Sequence, residues 1–382
     1  MTFRAAHAGV APDGATDGAV EKWQGWHDLA GRCLDRLTAE PGTTKDGFGL
    51  LYVSEPLAAE LPAILDHVVT RTGIADWVGA AAPAICAGGS DYFDGPAMAA
   101  MVCDIPADDY HIVRGGTGDA DTLAGWAVAH RPTIGIVHGD PRSPAVMSMA
   151  PELAAASGAF LVGGLAGAVS GNQIAGGVTE GGLSGILLGD GVAVATGLTQ
   201  GCSPIGPVRT VTAMADEAIA ELDGEPALAA FRGDIGEVLA RDLRRVAGCI
   251  HGAIPVAGSD TGDYLVRNLA ALDPAEETVT IATALREGDR VMFVRRDAAS
   301  AVEDMDRMLD TLQRRIGDRG VHGGVYHSCV ARGPNQFGSG ARETAAIQAR
   351  FGGIPLIGFF GNGEISHDRL YTYTGVLTLF LD

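Results

Sequence analysis

The order of strands and helices is clearest in two stretches near the end of the chain: Val325–Arg332 reads VYHSCVAR and Leu356–Glu364 reads LIGFFGNGE. Each is an apolar, strand-like run that ends at polar side chains or at a Gly-Asn-Gly turn. The residues near Arg342–Phe351 have a helical pattern, and a Gly-preceded apolar run follows at Thr374–Thr378. This order of strand, helix, strand and closing strand is typical of an α/β unit.

The same order of elements occurs about half a chain earlier. Ile134–Asp140 reads IGIVHGD, and a short helical stretch follows near Met147–Ala156. Phe160–Gly167 then reads FLVGGLAG, and a closing apolar run lies at Ser184–Leu188. Similarity at this distance indicates paired units and not a solenoid of short repeats. We therefore predict an internal duplication, with two related α/β halves that each present a Gly-rich loop.

The composition predicts a folded protein with two domains. The chain has 382 residues, of which 47% are hydrophobic and 19% are charged, so it can form two cores and is too apolar to be disordered. Strand signals outnumber helix signals, and hairpin signals are mixed with strand–helix–strand units, which favours an α+β architecture. We expect two related α/β halves with mixed or antiparallel sheets flanked by helices.

The charge and the cysteine content limit the function classes. A net charge of −20 repels phosphate backbones and anionic lipid, so we expect no nucleic-acid partner and no membrane partner. The sequence contains no apolar run of the length of a membrane span, and its first residues lack the apolar segment of a secretory signal. Its six cysteines lie far apart without paired spacing, which is typical of reduced thiols in the cytoplasm.

The ends of the last strands carry the main candidate ligand-binding residues. Arg332 follows the run that contains Cys329, and its guanidinium offers a rigid fork for a carboxylate. Glu364 follows the turn that contains Asn362, where it could receive an ammonium group. Arg332 and Glu364 would together hold the two ends of an amino acid. The simpler alternatives are a buried structural thiol at Cys329 and a carboxylate at Glu364 that caps the turn amides.

His327 and Cys329 are two residues apart, so on a strand both side chains face the same side. This spacing fits ligation of a haem iron, for which His and Cys are suitable axial ligands, and it equally fits packing. No haem-attachment motif is present, and the histidines show no standard zinc spacing. We therefore expect no structural metal and no required cofactor, with haem kept as an alternative.

The first half offers Gly163, Gly164 and Cys202 as residues that line a pocket. The two glycines lie in a run that lets a ligand approach the backbone closely. The residues after this run, AVSGNQIAGG, are not helix-like, which argues against a dinucleotide site. Cys202 lies in QGCSPIGP, where Pro204 and Pro207 are expected to prevent regular pairing, so we predict an ordered loop there. Anchoring of that loop is the alternative role for Cys202.

An ordered set of motifs extends over most of the chain. It comprises Trp77–Gly79, Gly163–Gly167, Gly201–Gly206, Glu221–Leu228, Leu265–Arg267, Ser328–Gly333 and Pro355–Glu364. Together these motifs resemble the FIST family, a two-part sensory module of FIST N and FIST C domains. The resemblance implies a FIST N-type domain over residues 46–225 and a FIST C-type domain over residues 226–382. Residues 1–27 are rich in Gly, Ala and Asp, and we predict that they form a flexible leader.

The resemblance implies a sensory function. Members of the family are thought to bind small molecules, with amino acids or their derivatives suggested. We therefore expect a stand-alone cytoplasmic sensor that signals through a separate protein such as a histidine kinase. One alternative is a haem-based nitric-oxide sensor that regulates a histidine kinase, since some similar proteins are of that type. A thiol-dependent enzyme is another, but nothing in the sequence supplies an oxyanion hole, so we expect no catalytic residues.

Overall fold

The fold is described from a computed structural model. It describes residues 1–10, 25–39, 47–115, 120–167, 171–246, 248–257, 262–338 and 340–382. The chain divides into two compact units. The first contains residues 1–199, 305–370 and 374–382, and the second contains residues 200–304 and 371–373.

The first compact unit begins with a strand–helix–strand–helix–strand segment, which a short hairpin and a closing strand complete. These elements, the first repeat, are β1 (Phe3–Gly9), α1 (Trp26–Thr38), β2 (Phe48–Ser54), α2 (Leu61–Thr72), β3 (Asp76–Ala82), β4 (Ala84–Ala87), β5 (Ser90–Tyr92) and β6 (Ala97–Cys103). A 3-10 turn at Glu55–Glu60 precedes α2, and another at Ala107–Asp109 follows β6.

The second repeat has the same order of elements. They are β7 (Tyr110–Val113), α3 (Ala120–His130), β8 (Ile134–Gly139), α4 (Val146–Ser157), β9 (Phe160–Leu165), β10 (Asn172–Ala175), β11 (Val178–Glu180) and β12 (Leu183–Leu188).

The third repeat is interrupted in the chain by the second compact unit. It opens with β13 (Val194–Gln200), and the inserted elements follow: β14 (Cys202–Pro204), β15 (Arg209–Ala215), β16 (Ala218–Leu222), β17 (Glu225–Pro226), α5 (Ala227–Ile235), α6 (Glu237–Ala240), a 3-10 turn (Leu243–Val246), β18 (Ile250–Pro255), β19 (Tyr264–Asp273), β20 (Thr278–Ile281) and β21 (Arg290–Arg296). The repeat then resumes with α7 (Ala298–Ile316), β22 (Val321–Cys329), α8 (Gly333–Phe337), α9 (Arg342–Phe351), β23 (Leu356–Gly361), β24 (Glu364–Ser366), β25 (Arg369–Tyr371) and β26 (Thr374–Leu381).

Each repeat builds one mixed sheet around a parallel pair of strands. The parallel pairs are β2–β3, β8–β9 and β22–β23, and the closing strands β6, β12 and β26 run antiparallel beside them. The short hairpin of each repeat joins the sheet of another repeat. Strand β4 pairs with β23, β10 pairs with β3, and β24 pairs with β9. This exchange of hairpins connects the three sheets.

Glycines set two features that recur in the three repeats. The helix before the second parallel strand ends at Gly73, Gly158 or Gly352, each in the left-handed conformation that glycine adopts without steric cost at a helix end. In the strand that follows, a Cβ at Gly79, Gly163 or Gly358 would overlap a backbone carbonyl oxygen of the neighbouring parallel strand. Only glycine therefore permits this close strand pairing.

The core of the first compact unit lies between the sheets, and the helices cover their outer faces. The central cluster contains Tyr52, Ile136 and Phe359, one from each sheet. Separate clusters pack α1 and α2 on the first sheet, α3 and α4 on the second, and α7 and α9 on the third. Apolar residues on both faces explain why these strands read as near-continuous hydrophobic runs.

The second compact unit contains an antiparallel sheet that returns to its starting strand. The strand order is β21–β15–β16–β20–β19–β18, and β18 pairs again with β21. Helix α5 packs on its apolar cluster through Leu228 and Phe231. Strand β14 pairs with β21 outside this ring.

The predicted α+β class with mixed sheets is confirmed. The structure contains the two related units found in the sequence, at residues 134–188 and 321–381, and a third at residues 48–103. The prediction of a flexible leader over residues 1–27 is wrong for Phe3–Gly9, which forms β1 and pairs with β6. Its alternating Ala residues pack against Leu34 and Met98, which the composition alone did not indicate. Residues 11–24 of that segment lie outside the described residues.

Candidate functional site

Corresponding positions of the three repeats place polar side chains in the central core. Tyr52, His138 and His327 each lie one residue after the strand position that faces Gly79, Gly163 or Gly358. The Tyr52 hydroxyl lies 3.0 Å from Nε2 of His138 and 3.3 Å from Nε2 of His327. A phenol has one proton, so it can donate to one imidazole while it accepts from the other. The two histidines therefore hold different tautomers.

Burial keeps both imidazoles neutral. It lowers the pKa of His138 to about 3, and it lowers the pKa of His327 well below the usual value, with a further contribution from His138. The ring of Phe359 packs 4.8 Å from the ring of His327. The sequence predicted His327 as a ligand-binding residue, and the structure places it in a fully buried aromatic cluster.

The loop after β22 carries Arg332, which is fully buried against Glu343 of α9. The Nε of Arg332 donates to Oε1 of Glu343 at 2.8 Å, and the Tyr326 hydroxyl donates to the same oxygen at 2.6 Å. The Gly333 amide donates to the other carboxylate oxygen at 3.2 Å. Burial opposes the charge of Arg332, but the Glu343 carboxylate maintains it, so the pKa of Arg332 stays above its usual value.

Glu343 is a residue that the sequence reasoning missed. Arg332 was predicted to bind a ligand carboxylate, and in this structure a carboxylate of the same chain contacts its guanidinium. The available signal was the position of Glu343 in the first turn of the helix between the two strand runs. An acidic side chain there also interacts favourably with the helix dipole.

Glu364 lies at the start of β24 and is almost fully buried. Its Oε2 accepts from the Thr374 hydroxyl at 2.7 Å and from the Thr374 amide at 3.2 Å. Burial raises the pKa of Glu364 to about 8, although the Thr374 bonds and the charge of Arg332 act in the opposite direction. Among the described residues, Oε1 of Glu364 has no hydrogen-bond partner. Arg332, Glu343, Glu364 and Thr374 are called the strand-end cluster below.

The glycines predicted to line the site lie beside Glu364. Gly164 pairs with Glu364 and Gly163 with Ile365 across β9 and β24. A Cβ at Gly164 would lie 2.8 Å from the Gly363 carbonyl oxygen, so strand packing requires its small size. Asn362 is exposed in the adjoining turn, where its backbone N–H donates to the Leu165 carbonyl at 2.9 Å. The structure therefore brings Gly163, Gly164 and Glu364 together.

The two predicted cysteines lie in different compact units. Cys329 is buried at the end of β22, where it pairs with Gly361. Cys202 belongs to the second unit, and Tyr264 donates to its carbonyl at 2.5 Å. The prediction of an irregular loop at Cys202 is wrong, because Cys202–Pro204 forms β14. Proline is compatible with this strand because β14 lies at the end of the strand order.

Two further polar residues of the site, Tyr52 and Thr374, form buried hydrogen bonds that the sequence did not predict. Tyr52 and Thr374 have no local motif, and their roles depend on strand pairing. Across the described ranges, no three His, Cys, Asp or Glu side chains group in a way that could hold a metal ion. Within the same ranges, no helix is long and apolar enough to span a membrane.

Comparisons with known proteins identify two consecutive domains. The FIST N domain model matches residues 47–225, and the FIST C domain model matches residues 228–367. An uncharacterized protein of Mycobacterium tuberculosis is 30% identical over 329 residues, which cover 80% of this chain and 83% of that protein. An uncharacterized protein of Mycobacterium bovis is 28% identical over 375 residues, which cover 93% of this chain and 95% of that protein.

Proposed function

The chain belongs to the FIST family, whose domains are small-ligand sensory domains, and we propose that it is a cytoplasmic sensor that binds an amine-bearing small molecule. An amino acid or a derivative has this chemistry. Binding would change the strand-end cluster, and a separate signalling protein would respond to that change. A histidine kinase is one class of protein that could act in this way.

One observation carries the proposal: Oε1 of Glu364 is buried and has no hydrogen-bond partner among the described residues. A buried polar atom without a partner costs free energy, on the order of 1–3 kcal/mol, unless a ligand or water satisfies it. A carboxyl oxygen accepts a hydrogen bond from an ammonium or amide N–H. Glu364 therefore favours a ligand that presents such a donor.

The local charges support the same class of ligand. The Glu343 carboxyl group interacts electrostatically with Asp91, Glu364 and Arg332, and Glu364 also interacts with Arg332. Burial and the neighbouring Glu343 raise the pKa of Asp91 to about 7, although the hydrogen bond from the Thr344 hydroxyl acts in the opposite direction. An added cation would stabilise the ionised carboxylates, because opposite charges attract more strongly in a low-dielectric interior. We therefore expect ligand affinity to depend on a positive charge on the ligand.

The test is a thermal-shift screen of the purified chain against amino acids, their amides and their deaminated analogues. At least one amine-bearing compound should raise the melting temperature of the wild type by mass action. Glu364→Gln should lose that shift, whereas Glu303→Gln, at an exposed glutamate of α7, should retain it. Equal shifts in all three proteins, or shifts with the deaminated analogues alone, would contradict the proposal.

No contact among the described residues favours the haem-based sensor or the thiol-dependent enzyme over this proposal. Nε2 of His327 faces the Tyr52 hydroxyl, and its ring packs on Phe359. An absorbance spectrum separates the first alternative directly, since a Soret band would require a haem-based sensor instead. Loss of an enzymatic activity after selective alkylation of Cys329 would instead support the thiol-dependent enzyme.

A further inference from the structure

Three buried polar side chains, called the core cluster below, join the sheets of the first compact unit. Tyr52 lies on β2, His138 on β8 and His327 on β22, and each is fully buried. The Tyr52 hydroxyl is within hydrogen-bond distance of Nε2 of both histidines, and the centroids of the two imidazole rings are 6.2 Å apart. The three positions correspond in the three repeats, so the core cluster lies where the repeats meet. The proposed function does not use it.

The geometry of the core cluster limits the number of protons that it can hold. In the neutral state, one Nε2 accepts the phenol proton and the other Nε2–H donates to the phenol oxygen. The Nδ1 atoms of His138 and His327 are buried and have no hydrogen-bond partner among the described residues. An added proton makes both nitrogens of an imidazole donors. The positively charged ring would then present a buried Nδ1–H that has no acceptor, which is unfavourable.

The surrounding strands offer such a charge no carboxylate among the described residues. Strands β9, β12, β23 and β26, which pair with β8 or β22, contain no titratable side chain. The titratable groups on the other strands around the core cluster are Asp76 of β3, Cys86 of β4, Cys103 of β6, Cys329 of β22 and Glu364 of β24. Neither carboxyl is bonded to the core cluster, because Asp76 accepts from Tyr110 and Glu364 accepts from Thr374. Burial keeps Cys86 and Cys103 as thiols by raising the pKa of each.

Acid favours the charge that the core cluster excludes. In the unfolded chain both imidazoles are in water, where they bind a proton below about pH 6.5. In the folded chain the first imidazolium would be unpaired, and a second would repel it across the shared hydroxyl. We propose that Tyr52, His138 and His327 form an acid-sensitive lock, which holds the three sheets together only while both imidazoles are neutral. The folded state then binds fewer protons than the unfolded state, so the contribution of the lock to stability is lost as the pH falls.

Two buried carboxyl groups act in the opposite direction over part of the same pH range. The pKa of Glu364 is raised to about 8 and that of Asp91 to about 7, so their contributions to stability increase as the pH falls through these values. The pH profile of the wild type alone therefore does not isolate the lock. A comparison of proteins that all retain Glu364 and Asp91 isolates it, because the contributions of these carboxyl groups cancel.

The experiment is urea unfolding of the full chain, followed by tryptophan fluorescence, for the wild type, His138→Gln and His327→Gln. A variant that loses only packing has its unfolding constant raised by the same factor at every pH. A variant that loses a buried neutral imidazole also loses the acid dependence of that imidazole. The ratio of the wild-type unfolding constant to that of each variant should therefore rise roughly 25-fold from about pH 7 to about pH 5. The matched control is His27→Gln, at an exposed histidine of α1, for which the ratio should change by less than about twofold.

Ratios that stay constant with pH for both core variants overturn the proposal, and so does an equal rise for His27→Gln. Histidine ring NMR of the folded wild type is the second measurement, and it needs no variant. The rings of His138 and His327, assigned through their contacts with the Phe359 ring, should remain neutral down to about pH 5. Protonation of either ring near pH 6.5 in the folded protein overturns the proposal even where neither variant folds.

Discussion

Replacement of Glu364 by glutamine tests whether this buried carboxyl is protonated in the folded protein. Its pKa rises from 4.5 to about 8 on burial. The folded state therefore binds more protons than the unfolded state between these two values. The resulting contribution to stability is fully present below pH 4.5 and is lost as the pH rises to about 8. Glu364→Gln has no proton to lose and should not show this dependence.

The magnitude follows from the interval between the two pKa values. Each pH unit corresponds to about 1.4 kcal/mol, so an interval of about 3.5 units corresponds to as much as about 5 kcal/mol. Glu364→Gln should match the wild type near pH 4.5 and exceed it by several kcal/mol near pH 8, because the amide is a neutral replacement for the protonated carboxyl. Gln173, at the corresponding position of the second repeat, already uses an amide in this way.

The assay is urea unfolding followed by tryptophan fluorescence from about pH 5 to about pH 8. All four tryptophans lie within residues 1–199, so the signal reports the first compact unit. Glu303→Gln should follow the wild-type pH profile, and Gln173→Glu should become less stable as the pH rises. Parallel pH profiles for the wild type and Glu364→Gln would contradict this prediction, since Glu364 would then titrate alike in the folded and unfolded states.

The same unfolding assay tests three further predictions. Glu343→Gln should cost about 3–5 kcal/mol, because it leaves the Arg332 charge buried without a carboxylate. The control is Asp35→Asn, at the exposed ion pair with Arg71, which should cost at most about 1 kcal/mol. Equal losses of stability in Glu343→Gln and Asp35→Asn would contradict the prediction for Glu343. Tyr52→Phe should cost about 1–3 kcal/mol, because both buried imidazoles lose the hydroxyl that they share; an unchanged unfolding midpoint would show that they do not depend on it. Gly163→Ala should prevent folding of the first unit, since its Cβ would overlap the Val137 carbonyl at a φ of 148°. Gly31→Ala, where the space is open within α1, should stabilise by about 0.5–1 kcal/mol; a folded Gly163→Ala protein would refute the assigned role of that glycine.

The repeated unit could be predicted from the sequence because its strands and helix are local patterns. Residues 134–188 and 325–378 share apolar runs, Gly-rich ends and a helical stretch between them. The copy at Phe48–Cys103 was missed because it matches the other two copies in the pairing register of its strands and not in its residue types. Tyr52 stands where the other copies have histidine, and Ala80 stands where they have Gly164 and Phe359. The exchange of hairpins among repeats has no sequence signal of its own.

The site was predictable where residues lie at strand ends and unpredictable where partners are distant. Glu364 and Gly164 followed from Gly-rich turns after apolar runs, and the structure pairs them directly. The contact of Tyr52 with His138 joins positions 86 residues apart, and its contact with His327 joins positions 275 apart. Glu343 is only 11 residues from Arg332, but their pairing depends on how α9 packs over β22.

The most direct measurement of the central claim is a native mass spectrum of the wild type and of Glu364→Gln after incubation with the amine-bearing compounds. We expect an amine-bearing small molecule bound to the wild type, and at least tenfold lower occupancy on Glu364→Gln, which corresponds to about 1.4 kcal/mol. Equal occupancy in the two proteins, or a bound molecule without a nitrogen donor, would contradict the claim that Glu364 recognises the ligand.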